Sequence, residues 1–194
     1  MSAPRLDSYM TMADGIDAGL LPLGLQAYAG YTDGHWPSFA TVCRRFYPHA
    51  HCVSITVRGG NAQFCDCEQG DLSIRQAVDW LRARLVEPRL CESRWELEHT
   101  HNRHAGYRPG IYVSAANAQL VLSAMKVALP QAPRHAWRLW VAHWTATRPA
   151  GPPDGSDAVQ WRSTPDYDLS ICRPDFFAPQ TWKPPVLPPP TEPH

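Results

Sequence analysis

Ala62-Gln63-Phe64-Cys65-Asp66-Cys67-Glu68 is closed by Gly70 and followed by Ser73, Ile74, Ala77, Val78, Leu81 and Leu85. This stretch decides the architecture. Its first seven residues predict a strand, and on a strand the side chains at i and i+2 share a face. Asp66 and Glu68 therefore point one way, and Cys65 and Cys67 point the other, toward a covering layer. Ser73 can cap a helix whose apolar stripe runs from Ile74 to Leu85, until Pro88 ends it. A strand that finishes in acids and gives way to an amphipathic helix is a β/α unit with polar groups at its C-terminal end.

The same alternation extends in both directions. Leu25–Tyr31 and the β-branched His51–Val57 read as strands, with a helix between them that opens at Pro37 and buries Phe39, Val42, Cys43 and Phe46. Downstream, Arg108–Ser114, Arg138–Trp144, Ala158–Trp161 and Tyr167–Cys172 read as strands, and Ala118–Leu129 as a helix stopped by Pro130. Residues 89–107 read as a long polar loop with a helical turn, and 147–157 as a proline- and glycine-rich loop. Strands alternating with helices imply an α/β domain with a largely parallel sheet. Several strands ending in acids favour a reduced or modified TIM-like β/α barrel over residues 25–177. An irregular N-terminal arm (1–24) precedes it and a proline-rich, polyproline-type tail (178–194) follows. A full eight-unit barrel usually takes about 250 residues, so shortened or missing helices are expected, with an open doubly wound sheet as the alternative.

Composition narrows the function. The chain has 194 residues, 44% of them hydrophobic, which suffices for one domain with a real core. Eighteen basic and eighteen acidic residues cancel, so the electrostatic footprint of a general nucleic-acid binder is missing. No apolar run is long enough to span a membrane, and the first residues have acids where a signal peptide needs a basic segment. The expected location is a phage virion, or the cell wall after lysis, and otherwise the cytoplasm. The excess of arginine over lysine reads as codon usage. Six cysteines without a CxxC pair suggest buried, reduced thiols and no zinc ribbon, and a Cys43–Cys52 disulfide stays undecided. The cluster His99-Thr100-His101-Asn102-Arg103-His104 has ligand-like spacing but reads as a solvated loop. No metal and no cofactor is expected. The paired arginines Arg44-Arg45 and the arginines of the long helix read as a solvated face.

The acids carry the chemistry. Asp33 follows the first of these strands, Asp66 and Glu68 end a middle one, and Asp168 lies in the last. In a barrel the last strand closes against the first, so these carboxylates can converge on one cleft. Crowded, partly desolvated carboxylates do not all ionise together, and the pairing of a protonated acid with an ionised partner is what glycoside cleavage needs.

At this point the sequence resembles the family 25 glycoside hydrolases, lysozyme-type muramidases on a modified β/α barrel, and the related proteins of actinobacteria and their phages. The resemblance rests on Ala29-Gly30-Tyr31-Thr32-Asp33-Gly34, Phe64-Cys65-Asp66-Cys67-Glu68 and Arg108-Pro109-Gly110-Ile111-Tyr112. It continues through Leu139-Trp140-Val141-Ala142-His143-Trp144 and Val159-Gln160-Trp161, leading to Tyr167-Asp168-Leu169-Ser170. It implies Glu68 as the general acid. Asp66 would orient the substrate's acetamido group or stabilise positive charge at the anomeric carbon, with Asp33 and Asp168 flanking the cleft. It further implies Tyr31, Tyr112, Trp144 and Trp161 as sugar platforms and Gln160 as a substrate-binding partner of Asp168. The implied ligand is peptidoglycan or another glycan, and a virion or assembly partner is expected for the tail. The alternative function is a catalytically reduced structural or carbohydrate-binding virion component. Only 33 residues separate Asp33 from Asp66, a shorter interval than the family pattern. Either the barrel has lost units or Asp33 stands on a different strand from the family's first acid.

Overall fold

Eight strands close into one barrel in sequence order: β1 (Met10–Asp14), β2 (Ala27–Tyr31), β3 (His51–Thr56), β4 (Phe64–Asp66), β5 (Gly110–Ser114), β6 (Arg138–Ala142), β7 (Ala158–Ser163) and β8 (Asp168–Cys172). The computed structural model describes residues 9–68, 72–99 and 108–183. From β1 to β7 neighbours run parallel, whereas β8 is antiparallel to both β7 and β1. The class is α/β, a modified TIM-like barrel, and closure sets the open-sheet alternative aside. Among the described residues, α-helices occupy three of the connections. They are α1 (Phe39–Phe46) before β3, α2 (Ile74–Val86) and α3 (Arg94–His99) before β5, and α4 (Ala115–Ala128) before β6. Bare loops elsewhere explain how so short a chain completes the ring.

The helices form where the sequence places its signals. Ser73 and Gln76 make a reciprocal capping box at the start of α2, and Ala77, Val78, Leu81 and Leu85 bury its inner face. These pack with α4 residues Val121 and Met125 on the outer faces of Cys65, Ile111, Val113, Leu139 and Val141. On the other flank, Phe39, Val42, Cys43 and Phe46 of α1 cover Ala13, Tyr28 and Cys52. Gly30 permits this approach, because a Cβ there would lie 2.8 Å from the Phe39 Cα. Inside the ring, Met12, Ala29, Val53, Phe64, Trp140 and Cys172 fill the middle.

Several expectations change. The segment 1–24, expected as an irregular arm, contains β1, so the barrel begins at Met10. Met10-Thr11-Met12-Ala13-Asp14 has no period-2 alternation and one β-branched residue, so nothing local announces a strand. Its backbone is fixed by pairing with β2 on one side and β8 on the other. Within the expected loop 89–107, residues 94–99 form α3, and residues 100–107, with His101 and His104 of the histidine cluster, lie outside the described residues. Arg84 is no part of a solvated face. It is buried, its guanidinium lies 3.9 Å from the Trp80 ring centre, and it donates to the carbonyls of Trp80, Gly59 and Gly60. Cys43 and Cys52 are both buried and no disulfide joins them, and the other cysteines are buried too apart from the partly exposed Cys67.

After β8 the chain folds back under the barrel. Phe176 stacks 5.4 Å from Phe64, and Phe177 stacks 4.4 Å from His51. The first part of the expected tail is docked too. Gln180 donates to the Ala136 carbonyl and Trp182 packs against the α2–α4 core. Residues 184–194, the proline-rich end, lie outside the described residues.

Candidate active site

Interior positions alternate along every strand, so each strand offers one inward residue at the C-terminal mouth of the parallel set. At that level β1 presents Asp14, β2 Tyr31, β4 Asp66, β5 Tyr112 and β7 Gln160. Because β8 runs the other way, it contributes its first residue, Asp168, which is the register partner of Asp14. Asp66 and Tyr112 are likewise direct register partners.

Asp66 is fully buried. The Tyr31 hydroxyl donates to its Oδ2 at 3.2 Å and the Glu68 backbone N–H to its Oδ1 at 2.7 Å. Glu68 lies past the end of β4, turned by that backbone contact, and its side chain is exposed to solvent. Its carboxylate is close enough to raise the pKa values of both Tyr112 and Asp168. Across the mouth, Gln160 Nε2 donates to Asp14 Oδ1 and Oδ2, each at 3.2 Å, and to Asp168 Oδ2 at 3.0 Å. Gln160 Oε1 accepts a hydrogen bond from the Tyr112 hydroxyl. One amide thus straddles two carboxylates and orients a phenol.

The electrostatics of Asp14 and Asp168 are set first by burial and then by neighbouring carboxylates. Burial, then the charges of Asp168 and Asp66, push the Asp14 carboxyl well above the usual carboxylate range, against the pull of Gln160. Asp168 is raised by burial first and by Glu68, with the Ser163 hydroxyl opposing. Tyr31 and Tyr112 are raised as well, chiefly by burial and then by the neighbouring carboxylates, so both stay protonated donors. The arrangement can hold a proton among acids while keeping at least one carboxylate charged.

Of the residues expected from sequence, Asp66, Glu68, Asp168, Gln160, Tyr31 and Tyr112 come together here. Asp33 does not join them. It sits in the connection after β2, where Oδ1 accepts from the Val57 amide at 2.8 Å and Oδ2 from the Thr56 hydroxyl at 2.5 Å. It ties that connection to the end of β3, and the place at the mouth belongs to Asp14, which sequence reading missed. The available signal was an acid directly before a glycine, Asp14-Gly15, the same pattern as Asp33-Gly34. Tyr112 is 5% exposed and packs edge-on against Trp140, 4.8 Å away, so it presents little face to a sugar. Trp161 lies at the β7 bulge, partly buried, and its indole N–H has no partner among the described residues. Trp144 stands half-exposed on the loop after β6, at the same end as the acids.

From Tyr31 a cleft of about 630 Å³ opens outward along Thr32, Pro37, Asn61, Arg94 and Trp95. Beneath it lies Glu96, buried on α3, which accepts from the Ser93 amide at 2.6 Å and from Gln63 Nε2 at 3.2 Å. Burial pushes its carboxyl up to about 7, with the Ser93 amide and hydroxyl pulling it back. Among the described residues no group of three or more His, Cys, Asp or Glu side chains is arranged to hold a metal ion, and no helix is long and apolar enough to cross a membrane.

No family model matches the chain, and no curated protein matches it in sequence. Among solved structures, it is similar to the crystal structure of a bacterial lysozyme from Streptomyces coelicolor. The identity is 14%, the match covers 83% of this chain and 90% of that one, and the TM-score is 0.46. That likeness concerns the fold alone.

Proposed function

We propose that this protein is a lysozyme-like glycoside hydrolase acting on peptidoglycan or a related glycan. One observation carries the reading: carboxylates from β1, β4 and β8 meet at a single mouth beside an exposed Glu68, linked by an amide and a phenol. In this reading Glu68 gives its proton to the glycosidic oxygen as the bond to the anomeric carbon breaks, so the bonding pair leaves with that oxygen. Asp66, already turned into the site by Tyr31 and the Glu68 amide, stabilises the positive charge left on the sugar. Water adds to the anomeric carbon and its proton returns to a carboxylate. Asp14 keeps its proton beside Asp168, with the Gln160 amide donating to both, and this keeps the mouth from filling with charge. The cleft beyond Tyr31 receives the saccharide.

Reducing-end release from purified cell walls tests the reading. Wild-type protein should release reducing ends, and Glu68→Gln should lower the rate about 100-fold or more, the usual loss when a general acid is removed. Equal rates in the two proteins would remove Glu68 from its role, and no release by the wild type would end the glycosidase reading.

A further inference from the structure

The two long helices differ on the sides they turn away from the sheet. α2 exposes Arg75, Asp79 and Arg82, whereas α4 has a single charged residue in fourteen, Lys126. A helix that is apolar nearly all round is one that something covers. Beside the C-terminal half of α4 lies a groove of about 270 Å³. Met125, Leu129 and Trp137, all buried, make its floor, and Leu122, Pro130 and Ala132 border it. Its two charged lining residues are Lys126 and Arg134. Arg134 calls for no anion there, because it already pairs with Asp157 and donates to the Trp137 and Gly155 carbonyls. Its Nε is buried and has no acceptor among the described residues, so a neutral carbonyl would suit it. Small-molecule pockets usually measure about 300–1,000 Å³ and gather several polar groups. This groove suits an apolar stretch of chain.

The protein brings such a stretch to the spot. Gln180 donates to the carbonyl of Ala136, the residue before Trp137, and Trp182 packs on the core that contains Met125, Leu129 and Trp137. Directly beyond Lys183 comes Pro184-Pro185-Val186-Leu187-Pro188-Pro189-Pro190, seven residues without a charge. We propose that this segment, which lies outside the described residues, docks in the groove of its own molecule and straps the side of α4. A polyproline helix is stiff before it binds, so docking costs it little entropy, and it has no internal hydrogen bonds. Its carbonyls can therefore accept from Lys126 and Arg134 while its rings and Leu187 meet the apolar floor. The lengths agree: seven residues at about 3.1 Å each span about 22 Å, and fourteen helical residues at about 1.5 Å each span about 21 Å. The strap is independent of the glycosidase reading.

Photocrosslinking of the full chain tests it. p-Benzoylphenylalanine replaces either Lys126 or Val127, and the products are mapped by mass spectrometry after irradiation of dilute protein. Lys126 lines the groove. Val127, 83% exposed, is the next residue and turns about 100° away around the helix, at a similar distance from Lys183. Position 126 should capture residues 184–190 of the same molecule, and position 127 should not. Leu187→Asp should lower capture from position 126 about tenfold, the worth of burying one leucine side chain. Equal capture from the two positions, or capture unchanged by Leu187→Asp, would mean that the segment only passes near α4, and would overturn the strap. Crosslinked dimers from position 126 would assign the groove to a second copy of the chain and overturn it as well, as would the absence of any captured tail peptide.

Discussion

The barrel buries charge at both of its ends and treats it in opposite ways. At the closed end, Arg138 lies inside the ring with its side chain 2% exposed, and every nearby acid answers it. Arg138 pairs with Asp157 at 3.3 Å and with Asp175 at 3.0 Å, and Arg134 adds a second guanidinium to Asp157 at 2.5 Å. The Phe176 carbonyl and the leucine amide at the head of the same strand complete the set, the latter donating to Asp157. At the mouth, Asp14 is as deeply buried but meets an amide and two further carboxylates. Burial without compensation costs stability, so a fold tolerates it where the charge does work. The difference separates the end that holds the barrel together from the end that can act.

Breaking the closed end should give the largest effect. Arg138→Met leaves buried Asp157 with one guanidinium, that of Arg134, where it had two, and the loss of one member of such a network costs about 3–5 kcal/mol. Urea unfolding at neutral pH measures it, and a change below about 1 kcal/mol would mean the arginine network adds little. Next comes the mouth, with the opposite sign. The raised Asp14 pKa means that the native state favours the neutral acid. The stability this brings is complete below the ordinary carboxylate range and lost as pH rises through the elevated native value. Asp14→Asn cannot ionise and escapes that loss. It should melt higher than wild type at pH 8, with the advantage shrinking toward pH 4, while reducing-end release falls. A lower Tm at pH 8 would mean that the carboxylate is compensated after all.

The smallest effect concerns Glu96, which belongs to neither end and supports the wall of the cleft. Its pKa is raised to about 7, so its contribution is complete below about pH 4.5 and fades as pH climbs through 7. Glu96→Gln should flatten the slope of Tm against pH between about 4.5 and 7, where the folded protein keeps a proton that the unfolded chain releases. An unaltered slope would assign the pH dependence to other groups.

Much of this contrast was legible in the sequence, and the parts that were not share a cause. The capped stripe of α2, the β-branched β3 and the proline stops at Pro88 and Pro130 are local signals, and the elements fall where those signals stand. So do Asp66, Glu68, Gln160 and Asp168, whose strands could be ordered around a ring. β1 escaped because its strand character comes from neighbours 15 and 158 residues away, Met12 pairing with Ala27 and with Ser170. Asp33 attracted the role of first acid because an acid before a glycine at a strand end looks the same whether it points inward or ties a loop. Arg84 was hidden for a related reason: helical spacing assigns it a face but cannot show that Trp80 and two backbone carbonyls wait on that face.

The reversal of the last strand has a practical side. Because β8 descends where the other strands ascend, the chain leaves the ring at the closed end, and Phe176, Phe177 and Gln180 fasten it there. A tether grafted just beyond Lys183 would therefore anchor the molecule by its underside, leaving the acids facing outward from any bead or electrode that carries it.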